Sequence, residues 1–140
     1  MSLLFENQFG EIIYNSVDNM LEVHWKDTTE ELEDEDFQSF LVKFTEVISM
    51  YSTSAFFVNA TKKMFVMSNP IQEWHDVVIV PKYIEAGIRK IAFHVGDNTM
   101  VDLSLELTFD EENSQQLQTK FFDDEEKART WLLEKKTEAA

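Results

Sequence analysis

Cysteine is absent from the 140 residues, and glycine and proline number only three and two. Without cysteine there is no disulfide, no thiol nucleophile and no thiolate metal site. So little glycine and proline argues against long linkers or disordered tracts. Bases are also scarce: 12 Lys and Arg stand against 27 Asp and Glu, a net charge of −15. Such a surface repels phosphate backbones, which excludes nucleic-acid binding through a basic face, and it disfavours anionic membrane surfaces. The longest apolar runs, such as Ala55–Val58 and Val77–Val80, have four residues, far short of a membrane span. The opening Met1-Ser2-Leu3-Leu4-Phe5-Glu6 lacks the basic start and apolar stretch of a signal peptide, so a cytoplasmic protein is expected.

What is present is material for a core. Hydrophobic residues make up 44% of the chain and phenylalanine alone numbers 12. The length suits one domain, 1–140 with its core over about 10–135, because two halves would each be too small to bury enough apolar surface.

The chain then divides into alternating elements. Leu21, Val23 and Trp25 alternate with Glu22, His24 and Lys26, the pattern of a strand with one wet face. Its hairpin partner is 11–17, and Asp18-Asn19 supply residues that tolerate a left-handed turn. The acidic stretch Thr28 to Asp36 carries six carboxylates and reads as a solvated helix start. It leads into an amphipathic helix with Phe37, Phe40, Leu41, Phe44, Ile48 and Tyr51 on one stripe. Ala55–Asn59 shows no alternation, as in a parallel strand covered on both faces.

Asn69 is placed to cap a second helix, with Pro70 first in it and Gln72 as the capping-box partner. Pro81 interrupts that helix as a kink or as a junction of two short helices, and Gly87 closes it. Strands are expected at 88–95 and 117–122, and Asp123 with Glu126 opens a terminal helix carrying Ala128, Trp131 and Leu132. Between them, 99–112 alternates like a strand yet also fits a helical stripe through Met100, Leu103 and Leu107. The predicted fold is a single α/β domain. A mixed sheet of about five strands begins with an N-terminal β-hairpin and continues α-β-α-β-α-β-α, with helices packed on the sheet.

This order, with Leu21-Glu22-Val23-His24-Trp25-Lys26, Asn69-Pro70-Ile71-Gln72-Glu73-Trp74, Pro81, Ile84 to Ala92 and Phe121-Phe122-Asp123, resembles the small bacterial STAS/SEC14-like domain family. That family is related in fold to anti-sigma-factor antagonists. The resemblance implies a helix at 99–112 and a regulatory, non-enzymatic role. It also implies a phosphorylatable hydroxyl just after the third strand, usually in an Asp-Ser-Ser/Thr-Gly setting. Here that region reads Asn59-Ala60-Thr61-Lys62-Lys63, with two lysines and no glycine, so Thr61 is the phospho-candidate. SEC14-like relatives that bind lipids are larger domains.

Met64-Phe65-Val66-Met67 places four apolar residues in a strand-to-helix connection, where open α/β sheets bind ligands or partners. Methionine adapts to varied surfaces. Lys62 and Lys63 are a local positive pair on an acidic chain, suited to orienting an anionic group. Trp74 lies one turn beyond Asn69, placed to line a pocket. The contact surface is therefore assigned to Thr61, Lys62, Lys63, Met64, Phe65, Met67, Asn69 and Trp74. The leading expectation is a protein-interaction module with a protein partner. The alternative is a domain binding a small molecule or lipid-like ligand, with its pocket near Trp74 and the Pro81 kink. No cofactor or metal is called for by any motif, and neither HExxH, a P-loop, GxGxxG nor GxSxG occurs. A hydrolase or isomerase would need His75 or His94 to meet a carboxylate, and nothing in the spacing makes His24, His75 and His94 converge. A homodimer is compatible with the many aromatics but opposed by like charge.

Overall fold

The computed structural model describes residues 2–62, 68–95 and 117–134. Six strands form one mixed sheet in sequence order: β1 (Ser2–Glu6), β2 (Gly10–Asn15), β3 (Met20–Trp25), β4 (Ala55–Ala60), β5 (Lys90–Val95) and β6 (Gln118–Phe122). The first three pair antiparallel, and β3 through β6 pair parallel. The chain is a single α/β domain with the anticipated hairpin at its start. The strand beyond the expected five is β1, an edge strand whose register slips between Leu3 and Phe5. That irregularity spoils the period-2 pattern by which strands are read. Phe5 nevertheless anchors β1, its ring meeting Phe40 edge-on at 5.8 Å.

β2 and β3 join through residues 16–19. Asn15 organises this turn, its Oδ1 accepting from the backbone N–H groups of Val17 and Asp18. Asn19 takes the left-handed conformation, with φ of 52°. After β3 the acidic stretch forms a short 3₁₀ turn, Asp27–Glu31, and then the first turn of α1 (Asp34–Ile48). Glu33 and Asp36 cap α1 reciprocally, each carboxylate accepting from the other's backbone N–H. Phe37, Phe40, Leu41, Phe44 and Ile48 turn inward as the periodicity requires.

Residues 69–86 form one unbroken helical run: α2 (Asn69–Trp74), a π turn over His75–Ile79, and α3 (Val80–Ala86). The Pro81 interruption takes this form. Val80 N–H reaches back five residues to the His75 carbonyl, and Pro81 has no N–H with which to continue that ladder. Gly87 ends the run at φ of 99°, its N–H reaching the Tyr83 and Ile84 carbonyls. Both predicted caps move by one residue. Ser68, not Asn69, caps α2, because its Oγ accepts from Ile71 N–H, and Asn69 is the first helical residue. Asp124, not Asp123, caps α4 (Glu125–Leu133), accepting from Lys127 N–H at 3.1 Å.

The sheet is covered on both faces. Ile12, Leu21, Val23, Phe56, Val58, Ile91 and Phe93 face α1 and the inner side of 69–86, where Ile71, Ile79 and Tyr83 are buried. Met20, Phe57 and Ala92 face the other way and meet Ala128 and Leu132 of α4. Lys90 fastens α4 at its C-terminal end, its Nζ donating to the carbonyls of Trp131 at 2.9 Å and Glu134 at 3.3 Å. No helix among the described residues is long and apolar enough to cross a membrane. The 99–112 segment lies outside the described residues.

Candidate functional site

The chemistry gathers on the sheet face under α4, toward the carboxyl ends of β3 and β4. Glu22 reads from sequence as part of a wet strand face, but α4 covers it and its side chain is fully buried. An unpaired carboxylate there would be costly, and the fold surrounds it with donors. Arg129 of α4 brings Nη1 to Oε2 at 2.7 Å and Nη2 to Oε1 at 3.2 Å, a two-pronged pair. Asn15 Nδ2 donates to Oε2 at 3.0 Å, and His24 Nε2 lies 2.8 Å from Oε1. Burial alone would push the Glu22 carboxyl up. The hydrogen bonds from His24, Arg129 and Asn15, with the Arg129 charge, outweigh burial and hold it at about 2. Arg129 also lies over the Phe57 ring at 4.2 Å and donates from Nε to Glu125 at 2.8 Å.

From Glu22 the network runs outward. His24 Nδ1 is 3.4 Å from Asn59 Nδ2 on β4, its register partner. Asn59 Oδ1 accepts from Thr61 N–H at 3.1 Å and from Thr61 Oγ1 at 2.7 Å. His24 and Asn59 border an open cleft of about 430 Å³, together with Glu11, Lys26, Asp27 and Lys62. Lys26 is engaged there, its Nζ bonding Glu6 at 2.8 Å and the Asn7 carbonyl at 3.1 Å. Lys62 and Thr61 are exposed at the cleft edge.

The residues singled out from sequence therefore separate. Thr61 and Lys62 lie together at this strand end. Asn69 is exposed at the start of α2. Trp74 is half-buried on the outer surface of the helices, in an open groove with Glu35, Gln38, Ser39 and Val42 of α1. Lys63, Met64, Phe65 and Met67 lie outside the described residues. Among the histidines, His75 is buried against the Tyr83 ring, and it is His24 that meets a carboxylate. Among the described residues no three His, Asp or Glu side chains are grouped as metal ligands would be.

Glu22, Asn15, Asn59 and Arg129 are functional candidates that sequence reasoning missed. A local signal existed: a glutamate in a strand two residues from a histidine, with one isolated arginine in a terminal helix. Only the packing of α4 joins them. Comparison with protein-family models, with curated proteins and with solved structures finds no significant match to this chain.

Proposed function

We propose that the chain is a non-enzymatic protein-interaction module, regulatory in the manner of STAS/SEC14-like domains, that meets its partner through the carboxyl ends of β3 and β4. One observation carries the reading. Both ring nitrogens of His24, the histidine that meets a carboxylate, face partners inside the network. A general base turns its basic nitrogen toward a reacting group, whereas His24 Nδ1 is turned toward the Asn59 amide. The network instead holds a turn, Thr61–Lys62, whose side chains project from a rigid frame. Exposed polar residues displayed by a buried scaffold suit recognition. A cytoplasmic setting belongs to the same proposal.

A small-molecule or lipid-like ligand has less support, because the groove beside Trp74 is open and lies outside the helices. Ligand sites usually enclose most of their occupant. The test is affinity capture from the native host, comparing wild type with Lys62→Glu at matched melting temperature. Loss of a specific protein from the Lys62→Glu capture is expected. The same proteins recovered in the same amounts by both baits would overturn the reading.

A further inference from the structure

The network has a direction set at both ends by groups that cannot reverse. At the inner end the Glu22 carboxylate, ionised and paired with Arg129, only accepts, so the proton between it and His24 belongs to Nε2. At the outer end Thr61 N–H only donates, so the Asn59 side chain must turn its Oδ1 toward Thr61. Its Nδ2 is then the atom facing His24 Nδ1, which meets it with a lone pair. Every group is satisfied only if His24 is neutral with its proton on Nε2.

From this we infer that the Thr61–Lys62 turn is proton-responsive, held in its present form by neutral His24 and released when His24 is protonated. The inference rests on the reading of that turn as the contact surface and names its regulation. Protonation places an N–H on Nδ1 against the Nδ2–H₂ of Asn59, donor against donor. Rotating the Asn59 amide by half a turn relieves that clash but sets Nδ2 against Thr61 N–H, which has no lone pair to offer. Thr61 Oγ1 can reverse and accept, whereas the backbone N–H cannot, so the backbone of the turn must move. No proton leaves the network in the neutral state, and the added proton comes from solvent through the cleft.

The titratable and charged groups around His24 and Asn59 are Glu22 on the His24 strand, Glu11 opposite His24 on β2 and His94 opposite Asn59 on β5. Lys26 and Asp27 follow β3, Lys62 follows β4, and Arg129 of α4 reaches the shared carboxylate. Glu22 attracts an imidazolium, but Arg129 already spends that charge on both oxygens. The contest is therefore decided by hydrogen-bond polarity in addition to net charge.

The test is nitrogen-detected and amide NMR on the full chain as pH is lowered from neutral until the His24 ring takes up its second proton. The expected result is a neutral His24 carrying its proton on Nε2. The Asn59 side-chain amide and the Thr61 backbone amide should shift with His24 in one transition. In Asn59→Asp the carboxylate accepts from Thr61 N–H in either state and from Nδ1–H once His24 is protonated, so protonation no longer sets donor against donor and the Thr61 shift should be lost. A Thr61 amide that stays still while wild-type His24 titrates overturns the inference. So does a neutral His24 protonated on Nδ1. These readouts need no partner. An unresponsive Thr61 with capture still dependent on Lys62 removes the switch and leaves the interaction reading standing, and the reverse pattern does the opposite.

Discussion

Among individual residues, Glu22 and Arg129 carry the highest energetic stakes. Each is costly to bury alone, and each is acceptable because the other is there. Glu22 is fully buried and Arg129 retains 21% of its side-chain exposure, so removing the carboxylate leaves a largely desolvated guanidinium with only the exposed Glu125 as its charge partner. Glu22→Gln is expected to cost roughly 3 kcal/mol in urea unfolding, the scale for breaking a buried pair from one side. Glu22→Leu combined with Arg129→Met should recover most of that loss, because well-packed apolar groups replace a buried pair at little net cost. A single variant within about 0.5 kcal/mol of wild type, the range of an ordinary surface substitution, would show that solvent reaches the pair freely. The double variant would also strip His24 of its acceptor, separating the stability of this face from the orientation of the histidine.

At the scale of elements, helix 69–86 exposes a second titratable weakness. His75 sits on its inner face in the π turn, packed on Tyr83, and desolvation pushes it down to about 3. The unfolded chain, with histidine near about 6.5, then binds more protons than the native state at every pH between those two values. Stability must therefore fall as pH drops below about 6.5, and the loss saturates only near the folded value. By pH 4.5 the His75 contribution is roughly 3 kcal/mol against folding. Glu22 does not confuse this window, because its stabilisation is retained above its ordinary value of 4.5 and is lost progressively as pH falls from there to about 2. Urea midpoints measured from pH 7 to 4.5 should decline steeply for wild type and more gently for His75→Leu. Superimposable curves would remove His75 as the cause.

The same elements show what the sequence made legible. The stripe of α1, the two-sided burial of β4 and the Gly87 stop follow from local periodicity and backbone chemistry, and they appear as read, except that α1 ends at Ile48 and leaves Tyr51 beyond the helix. The caps of α2 and α4 are displaced by one residue because Ser68-Asn69 and Asp123-Asp124 each offer two adjacent capping side chains. Propensity does not choose between neighbours of the same kind. A wet face holds at His24, which borders the open cleft, and fails at Glu22 for a different reason. What covers it is α4, a hundred residues away in sequence, and alternation reports polarity without reporting what packs on it.

For the molecule as a whole, the net charge of −15 sets the terms. The described ion pairs engage Glu6, Glu22, Glu46 and Glu125, while Asp34, Glu35 and Asp36 stand together in the first turn of α1 and Glu125 and Glu126 in that of α4. Helix starts reward such carboxylates locally, yet across the surface they repel one another and favour the expanded chain. Screening shortens the reach of that repulsion from about 10 Å at 0.1 M salt to about 3 Å at 1 M. The buried Glu22–Arg129 pair is screened far less than the surface carboxylates. Added sodium chloride should therefore raise the melting temperature at neutral pH, by a few degrees if relief of repulsion amounts to about 1 kcal/mol. The rise should be steepest at low salt, where the Debye length changes most, and Lys62→Glu, which adds to the charge, should steepen it further. A melting temperature that falls over the first few hundred millimolar would mean that attractive surface pairs outweigh repulsion. The acidity would then have to be counted among the forces that hold this fold together.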